Sequence, residues 1–472
     1  MLTLLILLNA YFVSFLDKPE KTAPQLSPRA VEQRAKWHIP TDAMDYPVSP
    51  MYMNQLTKKG VKIYHKSRWF NGVTCEMDTA TAAEVAKLRF VTGVEMTRDN
   101  SAPIYGAPKR SRRLTDLTTQ PSGKDWTAQQ LALYNLTPLH EAGYEGQGIL
   151  MTVCDGGFYN ANLLPCFRSK ELQLGAFDFT DDTDGFYGSS GAHGTECLST
   201  ISGHTEDYKG AATKAQYYLM RSEEMENDRE SPKEMDNLVA ALEKADSLGV
   251  NVFSVSLGYA MFDNDTWSLD KTTDLDGKAT RVSRAATIAA RKGMLVCVAA
   301  GNEGYSSWKT LGAPADADSV LTVGAVSTDS LIGGFSSYGP SSDGRIKPEV
   351  CAVGVQSTLI TPEGTIVRGN GTSFATPLLA GMAACIWSAL PDENAMQIRE
   401  RIIRSSDRYL TPDTAQYGYG IPDAWKAYTM ILPTGIERIQ PSEIGSRKIL
   451  RNGQILIIRN GETYTLSGFK IE

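Results

Sequence analysis

The chain has 472 residues, about three times the usual length of a single domain. With 41 Gly, 22 Pro and 42% hydrophobic residues its composition is globular, which excludes collagen, low-complexity disorder and a membrane protein with several spans. Asp and Glu (54) outnumber Lys and Arg (47), giving a formal net charge of −7, so no basic excess indicates nucleic-acid binding.

The first 16 residues carry no charge. They are shorter than the roughly 20 residues of a membrane span. Residues 1–10 are interpreted as the apolar region of a secretory signal, truncated at its start because the usual positive segment is missing. Residues 11–15 predict a β-strand, since they are aromatic and β-branched. The alternative is a buried N-terminal strand with no targeting role.

Residues 11–102 predict a small α+β domain, because strand, strand and helix patterns follow one another within about 90 residues. The predicted elements are a helix over 28–35, strands over 61–65 and 70–77, and a helix over 79–88 with Thr79 as its N-cap.

Residues 103–126 interrupt this pattern. Proline and glycine surround a basic run at 109–113, which predicts an exposed linker open to proteolysis. For the basic run itself, an ordinary solvated turn is an equal alternative.

Residues 127–430 predict one large α/β domain, because apolar strand-like runs alternate with helical patterns. The predicted elements are strands over 149–154, 250–257 and 294–300, a helix over 238–248 that ends at Gly249, and a helix that ends over 287–291. This alternation predicts a mainly parallel sheet flanked by helices, with functional groups just beyond the carboxyl ends of its strands. In the tail, residues 431–472, strand-like stretches flank Asn460–Gly461 and predict a β-hairpin.

Three segments of the large domain carry candidate chemistry, and they contain Asp155, His193 and Ser373. A serine hydroxyl is a poor nucleophile at neutral pH and needs a base, for which histidine titrates in the right range. The histidine in turn needs a carboxylate that fixes its tautomer. The sequence therefore predicts a triad assembled from separate elements, with His193 as the base among only five histidines.

Ser373 also has a suitable local context. The residues after it predict a buried helix, with Pro377 in the first turn, whose N-terminal N–H groups would lie near the serine. Asn302 follows a predicted strand and is the candidate donor to the oxyanion of a tetrahedral intermediate.

Four blocks together resemble the subtilisin-like serine proteases, or subtilases: Asp155–Gly157, His193–Thr195, Ala300–Asn302 and Gly371–Pro377. The resemblance implies the family's three-layer α/β fold, a catalytic triad of Asp155, His193 and Ser373, and an oxyanion site of Asn302 with the Ser373 backbone N–H. The segment 254–258 is similar to the family's substrate-binding strand. The implied substrate-binding residues are Ser256, Leu257, Gly258, Ala300 and Gly301.

The implied function is a secreted serine endopeptidase that forms an acyl-enzyme, needs no cofactor or catalytic metal, and acts on proteins or peptides. Residues 11–102 resemble the prodomains of secreted bacterial members, which implies a zymogen inhibited by its own prodomain until cleavage in the linker. A permanent accessory domain is the alternative. The expected location is secreted, periplasmic or cell-surface, without a transmembrane span. A different class of function also fits these segments, namely a catalytically silent peptide-binding protein that retains the groove.

The tail resembles short C-terminal sorting or anchoring segments, and a plain hairpin that packs on the catalytic domain is the alternative. The acidic run 178–184 is a candidate for structural calcium, as many subtilases bind it, but a solvated loop is preferred because the spacing matches no defined calcium loop. Pairing of Cys154 with Cys166 is considered, although Cys154 is better interpreted as a small buried strand residue. His140 and His204 lie outside the four blocks and are expected to be structural or exposed.

Overall fold

The structure of the protein is a computed structural model. It describes residues 8–20, 22–100, 114–118, 126–167, 171–225 and 230–432, and tail strands at 446–451, 454–459, 462–465 and 470–471. Residues 1–7 and the basic run 109–113 lie outside the described residues. The chain divides into two compact units, Met1–Tyr428 and Thr429–Glu472.

The N-terminal part of the first unit is a helix-and-sheet domain. Its elements are β1 (Asn9–Phe15), α1 (Pro28–Lys36), α2 (Pro50–Lys58), β2 (Lys62–Ser67), β3 (Gly72–Met77), α3 (Thr79–Val85) and β4 (Val91–Arg98). The strands form an antiparallel sheet in the order β2-β3-β1-β4. β1 begins two residues before its predicted start, since Asn9 and Ala10 already pair with β3. The prediction that Thr79 caps α3 was wrong. The N-cap is Asp78, whose side chain accepts a hydrogen bond from the Thr81 backbone N–H.

The rest of the first unit is the large α/β domain. Its elements are β5 (Leu114–Thr118), α4 (Ala128–Ala132), α5 (Thr137–Glu141), β6 (Leu150–Asp155), β7 (Gln173–Asp178), α6 (Ala192–Ser202), β8 (Gln216–Arg221), α7 (Pro232–Leu248), β9 (Val252–Val255), α8 (Arg281–Arg291), β10 (Leu295–Ala299), β11 (Leu321–Val326), β12 (Val350–Val353), β13 (Ser357–Ile360), β14 (Ile366–Asn370), α9 (Thr372–Ala389), α10 (Ala395–Ser405) and α11 (Ala424–Thr429). Seven strands form a parallel sheet in the order β12-β11-β10-β9-β6-β8-β7.

Both faces of the parallel sheet are covered, so successive side chains of a strand enter different cores. In β6, Met151 and Val153 pack with residues of α6 and α9, whereas Leu150 and Cys154 pack with residues of α7 and α8. The predicted three-layer architecture is therefore confirmed. Among the described helices, α9 alone is long and apolar enough to cross a membrane, but 89% of it is buried inside the protein, as in a core helix.

The carboxyl ends of three neighbouring strands bring the candidate residues together. β9 lies between β6 and β10 in the sheet. Asp155 is the last residue of β6, Ser256 follows β9, and Asn302 follows β10. His193 and Ser373 are each the second residue of a helix, in α6 and α9. A site therefore forms at one edge of the sheet, as the alternation of strands and helices predicts.

β5 lies inside the segment that the sequence predicts as a linker. It pairs antiparallel with β14, with Leu114 opposite Asn370 and Thr118 opposite Arg368, and completes a three-stranded sheet in the order β13-β14-β5. Because the two strands are far apart in the sequence, no local pattern indicates this pairing.

The acidic run 178–184 forms ion pairs with two cations from other parts of the chain. Asp181 lies 2.8 Å from the Lys233 ammonium, and Asp184 lies 2.8 Å from the Arg221 guanidinium, which also contacts Asp182. Both cations are buried. The run is therefore a partly exposed segment whose carboxylates pair with buried cations, and structural calcium there stays a prediction.

All seven cysteines are buried, and none of them forms a disulfide bond. The considered bond between Cys154 and Cys166 is therefore wrong. His140 has the structural role that was expected, since its Nε2 lies 2.9 Å from the Ala211 carbonyl oxygen.

The second unit holds the tail strands β15 (Ser446–Arg451), β16 (Gln454–Arg459), β17 (Glu462–Thr465) and β18 (Lys470–Ile471). Each pairs antiparallel with the next, so the described part of the tail contains four strands where the sequence predicts two. β16 and β17 are the strands on either side of Asn460–Gly461, as expected for a hairpin.

Candidate active site

The side chains of Asp155 and His193 are joined by a hydrogen bond. The Nδ1 atom of His193 lies 2.9 and 3.0 Å from the two carboxylate oxygens of Asp155. The Gly156 backbone N–H donates to the same carboxylate at 2.7 Å. Asp155 is only 1% exposed, so its carboxylate is held in one orientation and fixes the orientation of the imidazole.

The protonation of His193 is set by two opposing influences. Burial alone lowers the pKa of His193, but the Asp155 carboxylate raises it, and the net result is a pKa well above the usual value of 6.5. Asp155 therefore stabilises the protonated imidazole, which a general base becomes after it accepts a proton.

Ser373 is buried beside this pair. Its Oγ has no hydrogen-bond partner among the described residues. A Cβ atom at Gly371 would lie 2.7 Å from that Oγ, so glycine leaves the space that the hydroxyl occupies. The ring of Phe374 lies 5.6 Å from the ring of His193. In ligand-free enzymes the contact between nucleophile and base is commonly longer than a hydrogen bond.

Asn302 is oriented by the start of α9. Its Oδ1 accepts from the Thr372 backbone N–H at 2.9 Å and from the Thr372 hydroxyl at 3.0 Å. Since Oδ1 is occupied by these donors, Nδ2 is the group of Asn302 that can donate to a substrate oxygen.

A cavity of about 380 Å³ lies at Ser373 and Asn302. Its lining includes Asn302, Ser373 and all five residues predicted to bind substrate, Ser256, Leu257, Gly258, Ala300 and Gly301. The lining also includes Tyr305 and Trp308, which the sequence motifs did not single out. An aromatic residue in a loop is not distinctive until the fold brings it to a cavity.

Cys197, which the sequence motifs did not single out, lies within the site. Its sulfur, a ring nitrogen of His193 and a carboxylate oxygen of Asp155 all lie within 4.8 Å of one another, close enough for a metal ion. Burial raises the pKa of Cys197 to about 11, and the thiol donates to the Ser373 carbonyl oxygen. Cys197 therefore contacts both His193 and the backbone of Ser373.

Comparison with known families agrees with this geometry. Residues 146–421 match the model of the subtilase family, and residues 10–113 match a peptidase S8 propeptide domain of Bacteroidota. The first match spans the parallel sheet and the candidate site, and the second spans the N-terminal domain.

Individual proteins are similar over most of their length. Subtilisin NAT of Bacillus subtilis subsp. natto is 28% identical over 370 residues, which cover 78% of this chain and 83% of that protein. Subtilisin of Bacillus pumilus is 31% identical over 287 residues, which cover 60% of this chain and 92% of that one. The crystal structure of MycP1 from Mycobacterium smegmatis shares the fold, with a TM-score of 0.54 and 22% identity over 69% of this chain and 90% of that one. The chain therefore belongs to the subtilase family and is a subtilisin-like serine endopeptidase.

Proposed function

We propose that the protein is a secreted endopeptidase that hydrolyses peptide bonds through an acyl-enzyme, with Asp155, His193 and Ser373 as its triad. The observation that carries the proposal is the hydrogen bond between Asp155 and His193, next to a cavity that Ser373 and Asn302 line together. Each chemical role that the reaction requires is then assigned to one side chain of a single site.

In the proposed reaction Ser373 Oγ attacks the scissile carbonyl while His193 accepts its proton. Nδ1 of His193 faces Asp155, so Nε2 is the nitrogen that receives this proton and later gives it to the leaving amine. Asp155 stays ionised and stabilises the imidazolium. Asn302 Nδ2 and the Ser373 backbone N–H donate to the oxyanion. No cofactor takes part.

The proposed substrate is an extended peptide that lies beside the segment after β9. Backbone groups of Ser256, Leu257 and Gly258 would pair with the peptide, as in the addition of a strand to a sheet edge. One peptide side chain would enter the cavity between this segment and Ala300–Asn302.

The experiment that tests the proposal is covalent labelling. A serine-directed phosphonylating reagent is expected to modify the matured protein at Ser373, as located by mass spectrometry of peptides, and to leave a Ser373→Ala variant unmodified. Absence of label on the matured protein would contradict the proposal and favour a peptide-binding protein without catalysis.

Replacing Asn302 with leucine is expected to lower kcat by about 10²–10³-fold with little change in KM, which is the loss seen when subtilisin itself loses its oxyanion amide. The reason is that the donation is strongest in the transition state. Initial rates over a range of peptide concentrations measure both constants.

Asn394→Leu is the matched control for this change. Asn394 caps α10 by accepting from two backbone N–H groups, so its replacement lowers stability without touching the cavity. Equal kcat values for Asn302→Leu and the wild type would contradict the oxyanion role.

We infer that the N-terminal domain, residues 11–102, inhibits the enzyme until the chain is cut between about residues 103 and 126. Support comes from its match to propeptide domains and from the position of β5, which pairs with the strand that leads directly to Ser373. The segment after the prodomain thus lies next to the proposed nucleophile, as cleavage by the chain itself requires.

Buried charges hold the prodomain on α7. Arg34 lies 2.7 Å from Asp246, Arg68 contacts the same carboxylate, and the Ser67 hydroxyl donates to Glu243 at 2.6 Å. Arg34, Arg68 and Asp246 are all at most 6% exposed. Loss of one partner would leave a buried charge without compensation.

Asp246→Ala is expected to raise the Kd between the cleaved prodomain and the catalytic domain by about 30- to 4000-fold, since truncating such a partner costs about 2–5 kcal/mol. Gel filtration at serial dilution measures the concentration at which the two parts separate. Glu400→Ala is the control, because Glu400 pairs with Arg404 at the surface. An unchanged separation point for Asp246→Ala would contradict the role of this carboxylate.

We further propose that the chain is exported to the periplasm, the cell surface or the medium, that residues 1–10 act as its signal, and that residues 431–472 act as a sorting segment. Secreted subtilisins among the relatives support export. Deletion of residues 436–472 followed by localisation of the enzyme tests the last point, and unchanged export would contradict it.

A further inference from the structure

The carbonyl group of Ser373 lacks its normal helical partner. In an α-helix the carbonyl of one residue accepts from the N–H group four residues later. α9 begins at Thr372, so the partner of the Ser373 carbonyl would be the nitrogen of Pro377, which carries no hydrogen. Pro377 was expected in the first turn, where this loss has no consequence, but it lies in the second turn. The prediction was wrong because the helix starts before the serine.

Two side chains from other elements take the place of the missing donor. The Cys197 thiol donates to the Ser373 carbonyl oxygen at 3.2 Å, and the Ser256 hydroxyl donates to the same oxygen at 2.8 Å. Cys197 belongs to α6, one turn after His193, and it is fully buried. The backbone of the proposed nucleophile is thus tied to the helix that carries the proposed base.

Cys197 also contacts that base directly. Its sulfur lies 3.8 Å from Nδ1 and 3.9 Å from Nε2 of His193, so the thiol packs against the imidazole ring. Since burial raises the pKa of Cys197 to about 11, the sulfur keeps its proton at neutral pH and remains a hydrogen-bond donor.

We propose that Cys197 is a positioning residue, which uses its thiol proton to hold the Ser373 backbone and its sulfur to support the His193 ring. The proposal rests on the proposed function, because it assumes that Ser373 is the nucleophile. A small displacement of a reacting group can lower the rate greatly, whereas substrate binding depends on other residues of the cavity.

The test compares three variants. Cys197→Val keeps the apolar volume of the side chain and removes its hydrogen-bond donor. Cys197→Ala removes the volume and the donor, and Cys197→Ser keeps a hydrogen-bond donor. Because a hydrogen bond typically contributes a factor of about 2–13, Cys197→Val and Cys197→Ala are expected to lower kcat about tenfold at unchanged KM. Cys197→Ser is expected to stay within about twofold of the wild type. The rate of phosphonylation of Ser373 should follow the same order.

Cys385 supplies a matched control. Its thiol donates to the Ala211 carbonyl oxygen at 3.0 Å and lies 3.8 Å from Nε2 of His140, and it is fully buried. Cys385 therefore has the same type of surroundings as Cys197, but away from Ser373. Cys385→Val is expected to lower the unfolding midpoint in urea as much as Cys197→Val does, and to leave kcat unchanged.

Two results would overturn the proposal while leaving the proposed function intact. One is a wild type labelled at Ser373 together with a Cys197→Val variant that has wild-type kcat. The other is an equal loss of kcat in Cys197→Val and Cys385→Val, which would indicate a general effect of stability. An unlabelled wild type would instead overturn the proposed function, and with it the role of Cys197.

Discussion

A chain that carries Ser373→Ala is expected to remain uncut between residues 103 and 126 and to lose about 10⁶-fold in kcat, the loss that subtilisin itself shows without its serine. The physical reason is that the proposed reaction loses its nucleophile. The mass of the purified chain reports the cleavage, and hydrolysis of a peptide substrate reports kcat. Both effects should appear together if one serine performs both reactions.

Ser388→Ala is the control for this experiment. Ser388 lies on the same helix and donates to the Cys385 carbonyl oxygen, outside the site. It should mature and hydrolyse peptides like the wild type. Self-cleavage of the Ser373→Ala chain at the wild-type position would contradict the assignment of the nucleophile.

Asp155→Asn is expected to lower kcat by about 10⁴-fold and to change the pH dependence. A neutral amide leaves the wrong tautomer of histidine facing the serine, and loss of the carboxylate in related triads costs about this much. The base must be neutral to act, so activity rises as the pH passes the pKa of His193. Since Asp155 raises that pKa above 6.5, the acid limb of the kcat/KM profile of the wild type should lie above pH 6.5.

In the Asp155→Asn variant, burial still lowers the pKa of His193, but the carboxylate charge that raises this pKa is absent. The acid limb of the profile should therefore move to lower pH. Asp316→Asn is the matched control, because Asp316 is also fully buried and accepts two hydrogen bonds, from Gly277 and Ser283. It should lose stability and keep the wild-type acid limb. An acid limb that stays in place in Asp155→Asn would show that Asp155 does not govern the titration of His193.

Much of the fold and the proposed site could be predicted from local patterns. The helix α7 ends at Leu248 because Gly249 adopts a left-handed conformation, with φ of 75°, at the position where the sequence places the stop signal. The strand β6 is mainly apolar up to Asp155, its last residue, so its burial and its end could both be predicted from the sequence. The motifs that contain Asp155, His193, Asn302 and Ser373 are short, so they could be found in the sequence without knowledge of distant contacts.

The rest depends on contacts between distant parts of the chain. Cys197 and Ser373 are 176 residues apart, and only the packing of α6 against α9 brings the thiol to the carbonyl. The cations that pair with the acidic run come from β8 and α7, which are distant from it in the sequence. The pairing of β5 with β14 joins two segments that no turn connects.

None of the seven cysteines forms a disulfide bond, which has a consequence for how the fold responds to redox conditions. Apolar side chains pack on both faces of the seven-stranded sheet and form the core. No disulfide bond contributes to the stability of the native state. Reductants such as glutathione therefore have no bond to break, and no thiol oxidase is needed on the route out of the cell. The stability of the fold therefore does not depend on disulfide formation, in reducing or in oxidising surroundings.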